Sequence, residues 1–460
     1  MNRLKIALFL FPALAFVLPA SGQTPSDAPL TLRRAAELAL ARAPEGASAR
    51  AQAAEADADA RAASAMFAPH AFATTTPGYS SGLPVAVAGR VPSAFGVEVH
   101  QTLYDPARRR EAFEARARAE AFEGASARSG ASTARALVLS YGRNWSDRKR
   151  IESARKDLEA REAVLRRVEA LAREGRRTDL ETERAGLEVA RAKQALANRE
   201  MEWDLDRHEL AWLTDSPRGE AIQAAEDPLA VLPEPGPGDH LAAARTADPA
   251  LAALDRQTSS LERAAAFQKR AWLPVVQAEG QYLRLSNYNN FDQYFVKFKS
   301  NDWAVGISVA VPLWTGGRLQ HGQTAAAARV ERVRADRRAR DRDLELAVRR
   351  AEADLSRAQA DFQLSSRSLA AAREGVRVAQ SLAAEGRGEA DGVDLGEIAV
   401  AKAEDERAEA GQGLLAARAR LLELRGELPG ALLGVKPQNP SRGEPKAEGT
   451  GTEAAAQTSD

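Results

Sequence analysis

The chain has 460 residues, 64 basic and 64 acidic side chains, 28% charged residues, 5% aromatics and no cysteine. Balanced charge gives no global attraction to nucleic acid, and the lack of cysteine excludes disulfides and a lipid-acylated cysteine after export. The abundance of alanine, arginine, glutamate and leucine predicts long helices and coiled coil.

From the N-terminus, Arg3 and Lys5 precede the apolar run "IALFLFPALAFVL" and the small residues "ASG" at 20–22, the pattern of a secretory signal peptide over 1–22. No later window is apolar enough for a membrane-spanning helix, so none is expected. Thr31 is a candidate N-cap for a helix over about 31–66, with a candidate break at Pro44. Strands are expected over about 71–80 and 94–104, separated by the glycine- and proline-rich stretch "PGYSSGLPVAVAGRVP". A proline-free run then predicts one long helix over about 107–174 and a shorter one over about 178–213. Residues 227–239, "DPLAVLPEPGPGD", read as a linker. Beyond it the same plan returns: helix at about 240–272, strands at about 274–286 and 303–314, a long helix at about 318–387, and a shorter one at about 394–425. Residues 429–460 end without large apolar side chains and read as a disordered tail.

The chain is thus an internal duplication, with a first repeat at 23–226 and a second at 240–428. "FGVEVHQTLYDPARR" aligns with "VGISVAVPLWTGGR", Pro69 with Pro274, and the turn at Gly175 with Gly388. In each repeat two short helices laid end to end match one long helix. At about 1.5 Å per residue such a column is on the order of 100 Å long, which suits a tube or extended coiled coil rather than a globule. Leu158, Leu165, Val168 and Leu171 recur at coiled-coil spacing.

The strands separate the tube from a rod. Trp303, Val305, Ile307, Val309, Val311 and Leu313 alternate with Ala304, Gly306, Ser308, Ala310 and Pro312, and Phe95, Val97 and Val99 alternate with Glu98 and His100. Period-two alternation over about ten residues fits a strand with lipid on one face and water on the other. Tyr282, Tyr288, Tyr294 and Trp303 are candidates for an aromatic girdle at the membrane interface. Four strands cannot close a barrel, and an open edge in hydrocarbon leaves backbone groups unpaired, so copies of the chain must share one. The competing expectation is a periplasmic coiled-coil scaffold or tether without a pore, in which the strands form a soluble hairpin domain.

No residues call for an enzyme or a cofactor. The five histidines (70, 100, 208, 240 and 321) lack metal-ligand spacing, and "HELAW" at 208–212 carries Trp212 where a zinc protease motif has its second histidine.

The strand-to-helix joints "TLYDPARR" (Tyr104, Asp105, Pro106) and "VPLWTGGR" (Trp314, Gly316, Gly317) resemble those of the TolC-like outer-membrane efflux proteins. "LTLRRAAELALARAP" is similar to that family's opening helix, and "EGRGEADGVDLGEIAVAKAED" to its helical-hairpin tip. The resemblance implies a mainly α fold with a transmembrane β-barrel, built from duplicated helix–strand–strand–helix–helix repeats. It implies a homotrimer with a twelve-stranded barrel, continued by a long periplasmic α-helical barrel in the cell outer membrane. It also implies a passive exit duct for an inner-membrane pump reached through a periplasmic adaptor protein. Gly175, Arg176, Gly386 and Gly388 become candidates for the adaptor-docking tips. Asp394, Glu397, Glu181 and Asp391 become candidates for an acidic pore constriction. Arg176 and Glu389 stand where the family has an apolar residue after the turn glycine.

Overall fold

The computed structural model describes residues 30–42, 44–76, 94–215, 222–285, 301–387 and 391–434. The expected signal peptide at 1–22, Tyr288, Tyr294, Gly388 and the chain after residue 434 lie outside the described residues.

The first repeat comprises α1 (Leu32–Arg42), α2 (Pro44–Ala65), β1 (His70–Thr76), β2 (Ala94–Tyr104), α3 (Pro106–Arg173) and α4 (Asp179–Leu213). After α5 (Pro228–Val231), the second comprises α6 (His240–Ala247), α7 (Pro249–Lys269), β3 (Val275–Leu285), β4 (Asn301–Ala310), α8 (Arg318–Ala384) and α9 (Gly392–Leu424). A final short helix, α10 (Leu428–Leu433), closes the described chain. The duplication extends to a detail the sequence showed only in one copy. The opening helix of each repeat is broken at a proline, Pro44 in the first and Pro249 in the second. In the second, Asp248 ends α6 and its side chain accepts from the Ala250 N–H at 2.7 Å, capping α7.

The sheet is antiparallel, in the order β1–β2–β3–β4. The helices form a wall in the same order. α2, α3, α7 and α8 are successive neighbours beside the sheet, and α4, α3, α9 and α8 are successive neighbours toward the other end. The long helices α3 and α8 run the full length, while α2 stacks with α4 and α7 with α9. Each strand therefore continues into its own helical column.

Small residues allow the helices to approach closely. Ala56 and Ala60 of α2 pack on Ala115 and Ala119 of α3. Arginine–carboxylate pairs lock the axial register: Arg116–Asp57 at 3.1 Å, Arg161–Glu188 at 2.7 Å, Arg150–Asp405 at 2.6 Å and Arg334–Glu262 at 2.6 Å. Among the described residues no helix is long and apolar enough to cross a membrane.

The main core lies halfway along the wall, where α1, α5 and α10 pack on one face of α3 and α9 through Leu32, Leu137, Tyr141, Leu415, Leu422, Leu428 and Leu432. This corrects two expectations. The 227–239 stretch is not a bare linker, since Pro228 and Leu232 are buried and Asp227 caps α5. The tail begins later than residue 429, because Leu428 and Leu432 anchor α10 in the core.

Candidate functional site

The register of the sheet sorts its side chains onto two faces. Directly paired residues share a face, so Val97, Tyr282 and Trp303 stand together, as do Val99, Gly280 and Val305. Phe95, Ile307 and Val309 fall on this same apolar face, all well exposed. The opposite face carries His70, Glu98, His100, Gln277, Glu279, Gln281 and Ser308, with Phe72, Val275, Leu283 and Ala310 among its apolar residues, while Arg284 and Asn301 pair beside Phe95 at one end of the apolar face. An exposed apolar face of this size, opposite a mainly polar one, is not a packed core. Tyr282 and Trp303 pair across β3 and β4, and the Tyr282 hydroxyl donates to Asn301 Oδ1 at 3.3 Å. The outer edges of β1 and β4 have no partner strand among the described residues.

Scattered in sequence, His70 and His100 are direct cross-strand partners, and His100 is in turn opposite Glu279. Linear spacing misses this because the hairpin, not the helix or turn period, brings them together. Among the described residues no group of three or more such side chains is arranged to hold a metal ion.

The two joints solve one problem in different ways. Asp105, buried after Tyr104, caps α3 by accepting from Ala107 N–H at 2.8 Å and Arg108 N–H at 3.2 Å, with Pro106 at the first helical position. In the second repeat Gly316 (φ 58°) and Gly317 (φ 81°) turn the chain through the left-handed region, and Gly317 begins α8 without a side-chain cap. The ladder of β4 stops at Ala310, short of the expected end at Trp314. Ala310 pairs with Val275, the first residue of β3, so no strand lies opposite further on, and Pro312 has no N–H to donate. Leu313 and Trp314 are left 94% and 89% exposed.

At the far end, α3 turns into α4 and α8 into α9. Both long helices end on a left-handed glycine, Gly175 (φ 73°) and Gly386 (φ 71°). The next residue closes each turn, Arg176 N–H on Leu171 O and Arg387 N–H on Leu382 O, both about one turn back. Gly175 therefore corresponds to Gly386, not to Gly388 as the sequence alignment expects. Two residues separate Gly175 from the N-cap Thr178, and four separate Gly386 from the N-cap Asp391. The misalignment arises because the sequences match better on the helix-start side of this longer turn, where Glu181 and Asp394 hold the same third helical position.

The acids of the tips have local partners. Glu181 completes a capping box, accepting from the Thr178 N–H at 2.8 Å while Thr178 Oγ1 accepts from the Glu181 N–H. That backbone N–H, with the Arg177 side chain 2.6 Å away, pulls its carboxyl down to about 2. Asp394 lies 2.7 Å from Arg167, and Asp391 lies 3.1 Å from Arg167 and 3.8 Å from Arg177. Glu397 is exposed and forms no ion pair among the described residues. Arg176 is exposed, 3.5 Å from Glu174.

One polar cluster was not picked out from the sequence. On the face of α3 away from α1 and α5, a cavity of about 360 Å³ opens between α4, α3 and α9, lined by Arg143, Asp147, Arg150, Glu202, Asp206 and Glu409. Burial, together with a hydrogen bond to Asp206, raises the Asp147 carboxyl to about 7. Arg143 holds Asp206 at 2.9 Å and Arg150 holds Asp405 at 2.6 Å.

Comparison with known proteins agrees with this architecture. Residues 241–427 match the family model described as outer membrane efflux protein. A sequence search of curated proteins finds no match. Among solved structures, CusC superposes with a TM-score of 0.72 at 16% identity, covering 86% of this chain and 92% of its own. The CmeC outer membrane channel of Campylobacter jejuni gives 0.71 at 12% identity, over 93% and 94%. The open state of the MtrE outer membrane channel of Neisseria gonorrhoeae gives 0.71 at 18% identity, over 88% and 91%. At these identities the superpositions establish the shared fold, and over residues 241–427 the second repeat is similar to the outer membrane efflux protein family.

Proposed function

We propose that the protein is the outer-membrane channel of a tripartite efflux or secretion system. It acts as a passive exit duct whose cargo is driven by an inner-membrane pump and handed over by a periplasmic adaptor. Three copies close a twelve-stranded barrel, each chain contributing its four strands, and the helical walls continue the pore into the periplasm. The chain contributes no catalytic step.

The observation that carries this reading is the sheet. It has an apolar face of Val97, Val99, Tyr282, Trp303, Val305 and Ile307, a polar face of histidines, carboxylates and amides, and two open edges. In hydrocarbon such edges are tolerable only when other strands close them. Sheet and wall share one order of neighbours, so an assembly that closes the sheet also closes the helices. In that assembly Asp391, Asp394, Glu397 and Glu181 lie at the periplasmic mouth. A ring of repeated carboxylates there favours cations, tempered by Arg167 and Arg177. Gly175, Arg176 and Gly386 are then presented to the adaptor.

Purified mature protein reconstituted into planar bilayers tests the proposal. Discrete conductance steps from a particle of trimer mass are expected. A chain that remains monomeric and soluble with no amphiphile overturns the proposal and leaves the scaffold as the better reading.

A further inference from the structure

We propose that the helical ends next to the sheet form a cationic, aromatic collar that binds the phosphates of anionic phospholipids in the periplasmic leaflet. This rests on the membrane-channel reading above and adds a lipid class to it.

The collar is built on α3 and α7, the two middle columns of the wall. Their outward faces are therefore not covered by a neighbouring copy closing the open edges. Arg109 sits in the first turn of α3, where the helix dipole disfavours a cation and the N-cap Asp105 is engaged by the Ala107 and Arg108 N–H groups and the Arg108 side chain. Lys269 ends α7 and Arg270 follows it. All three are exposed, and none forms an ion pair among the described residues, although most arginines in the wall do. Instead the arginines lie over aromatic rings, Arg109 4.6 Å from the centre of Phe67 and Arg270 5.6 Å from that of Phe267. Phe267 stacks on Phe113 of α3 at 5.7 Å, joining the two columns. Trp272, two residues beyond Arg270, is 60% exposed.

In the proposed duct the face covered by α1, α5 and α10 is the outer one, since on the inner face these helices would fill the pore. Arg109 precedes Leu137 by four heptads, so in a coiled wall both lie on one stripe, the stripe covered further down by α1, α5 and α10. Glu111, the nearest unpaired acid, is two positions on and projects to another side of the helix. Exposed cations without carboxylates, interleaved with rings and directly beside the apolar strand face, match an interfacial layer of phosphate headgroups.

The test uses the full mature chain in nanodiscs containing equal phosphatidylglycerol and phosphatidylethanolamine, followed by native mass spectrometry of the lipids retained. The wild type is expected to retain phosphatidylglycerol preferentially. The triple change Arg109→Gln, Lys269→Gln, Arg270→Gln should lower that ratio by about fivefold for each cation removed. The charge-keeping pair Arg109→Lys, Arg270→Lys should preserve it and guards against a folding defect. Removing Arg148 and Lys149, outward cations far from the sheet that stack on Trp145, should leave it unchanged. Equal retention of both lipids by the wild type overturns the proposal, as does an unchanged ratio in the triple variant. So does an equal fall on removing Arg148 and Lys149. Insertion without lipid preference defeats the collar alone. Failure to enter any bilayer defeats the channel reading with it.

Discussion

Arg167, one and a half turns before the end of α3, reaches 2.7 Å to Asp394 in the first turn of α9. With Asp391 at 3.1 Å from the same guanidinium, it ties the two helical hairpins together near their tips and cancels part of the charge there. Replacing Arg167 with alanine should free Asp394 and leave Asp391 only its 3.8 Å contact with Arg177. The pair is partly exposed, so the stability cost is on the order of 1 kcal/mol. The larger effect is expected in conductance: cation selectivity in bilayers rises in Arg167→Ala and returns toward wild type when Asp394→Asn is added. Unchanged reversal potentials in both variants contradict an acidic mouth.

Asp147 predicts how stability depends on pH. Its carboxyl titrates at about 7 in the folded chain against an ordinary value of 3.8. The folded state therefore holds a proton that the unfolded state has released, and stability falls as pH rises between about 4 and 7. Above that range this contribution is flat. Asp147→Asn keeps a neutral side chain in place, so it should remove this part of the slope and be more stable than wild type at pH 8. Thermal midpoints of the detergent-solubilised protein at pH 5, 6.5 and 8 measure it; parallel curves for the two proteins contradict the shared-proton pair.

Tyr141 holds the middle of the wall together. Its hydroxyl donates to Leu30 O at 2.8 Å and accepts from the N–H groups of Ala225 and Glu226 at 3.0 and 3.3 Å, in a fully buried site. Ala225 N–H also donates to Leu30 O at 3.1 Å, so Tyr141→Phe takes the hydroxyl from all three groups but leaves chiefly the Glu226 N–H without an acceptor, and should cost about 1–3 kcal/mol. The segment from Ile222 to Leu232 should then be cut faster by protease than in the wild type, while the sheet keeps its protection. Equal cleavage rates contradict the role assigned to the hydroxyl.

The first joint depends on Asp105. Asp105→Ala removes both cap contacts to α3 and should cost about 1–2 kcal/mol. Asp105→Asn, which keeps an accepting oxygen, should recover most of it. A denaturation midpoint that is the same for alanine and wild type excludes the cap as a source of joint stability.

Much of the architecture is legible in the sequence because it rests on local chemistry. Proline-free, alanine-rich runs give α3 and α8 within a few residues of their observed bounds, and period-two alternation gives β2 and the start of β4. What escapes is what depends on pairing. Where β4 ends is decided by where β3 begins. The adjacency of His70 and His100 is decided by the hairpin register, and the equivalence of Gly175 with Gly386 by backbone conformation. Asp147 and Asp206 look like ordinary surface acids of two amphipathic helices until α3 and α4 pack and exclude water from between them. The same holds for the partners of Glu181: its cap on Thr178 and its contact with Arg177 appear only once the turn is folded.

The unequal tips have a consequence for recognition. The connection after Gly386 carries two more residues than the one after Gly175. Three copies would therefore present a crown of six points alternating between a short and a long form. A partner that gripped all six alike would have to ignore this difference, whereas one that recognises it meets only three matching places. In such a trimer the near-equivalence of the two repeats would be broken at the tips, where the proposed adaptor would fit.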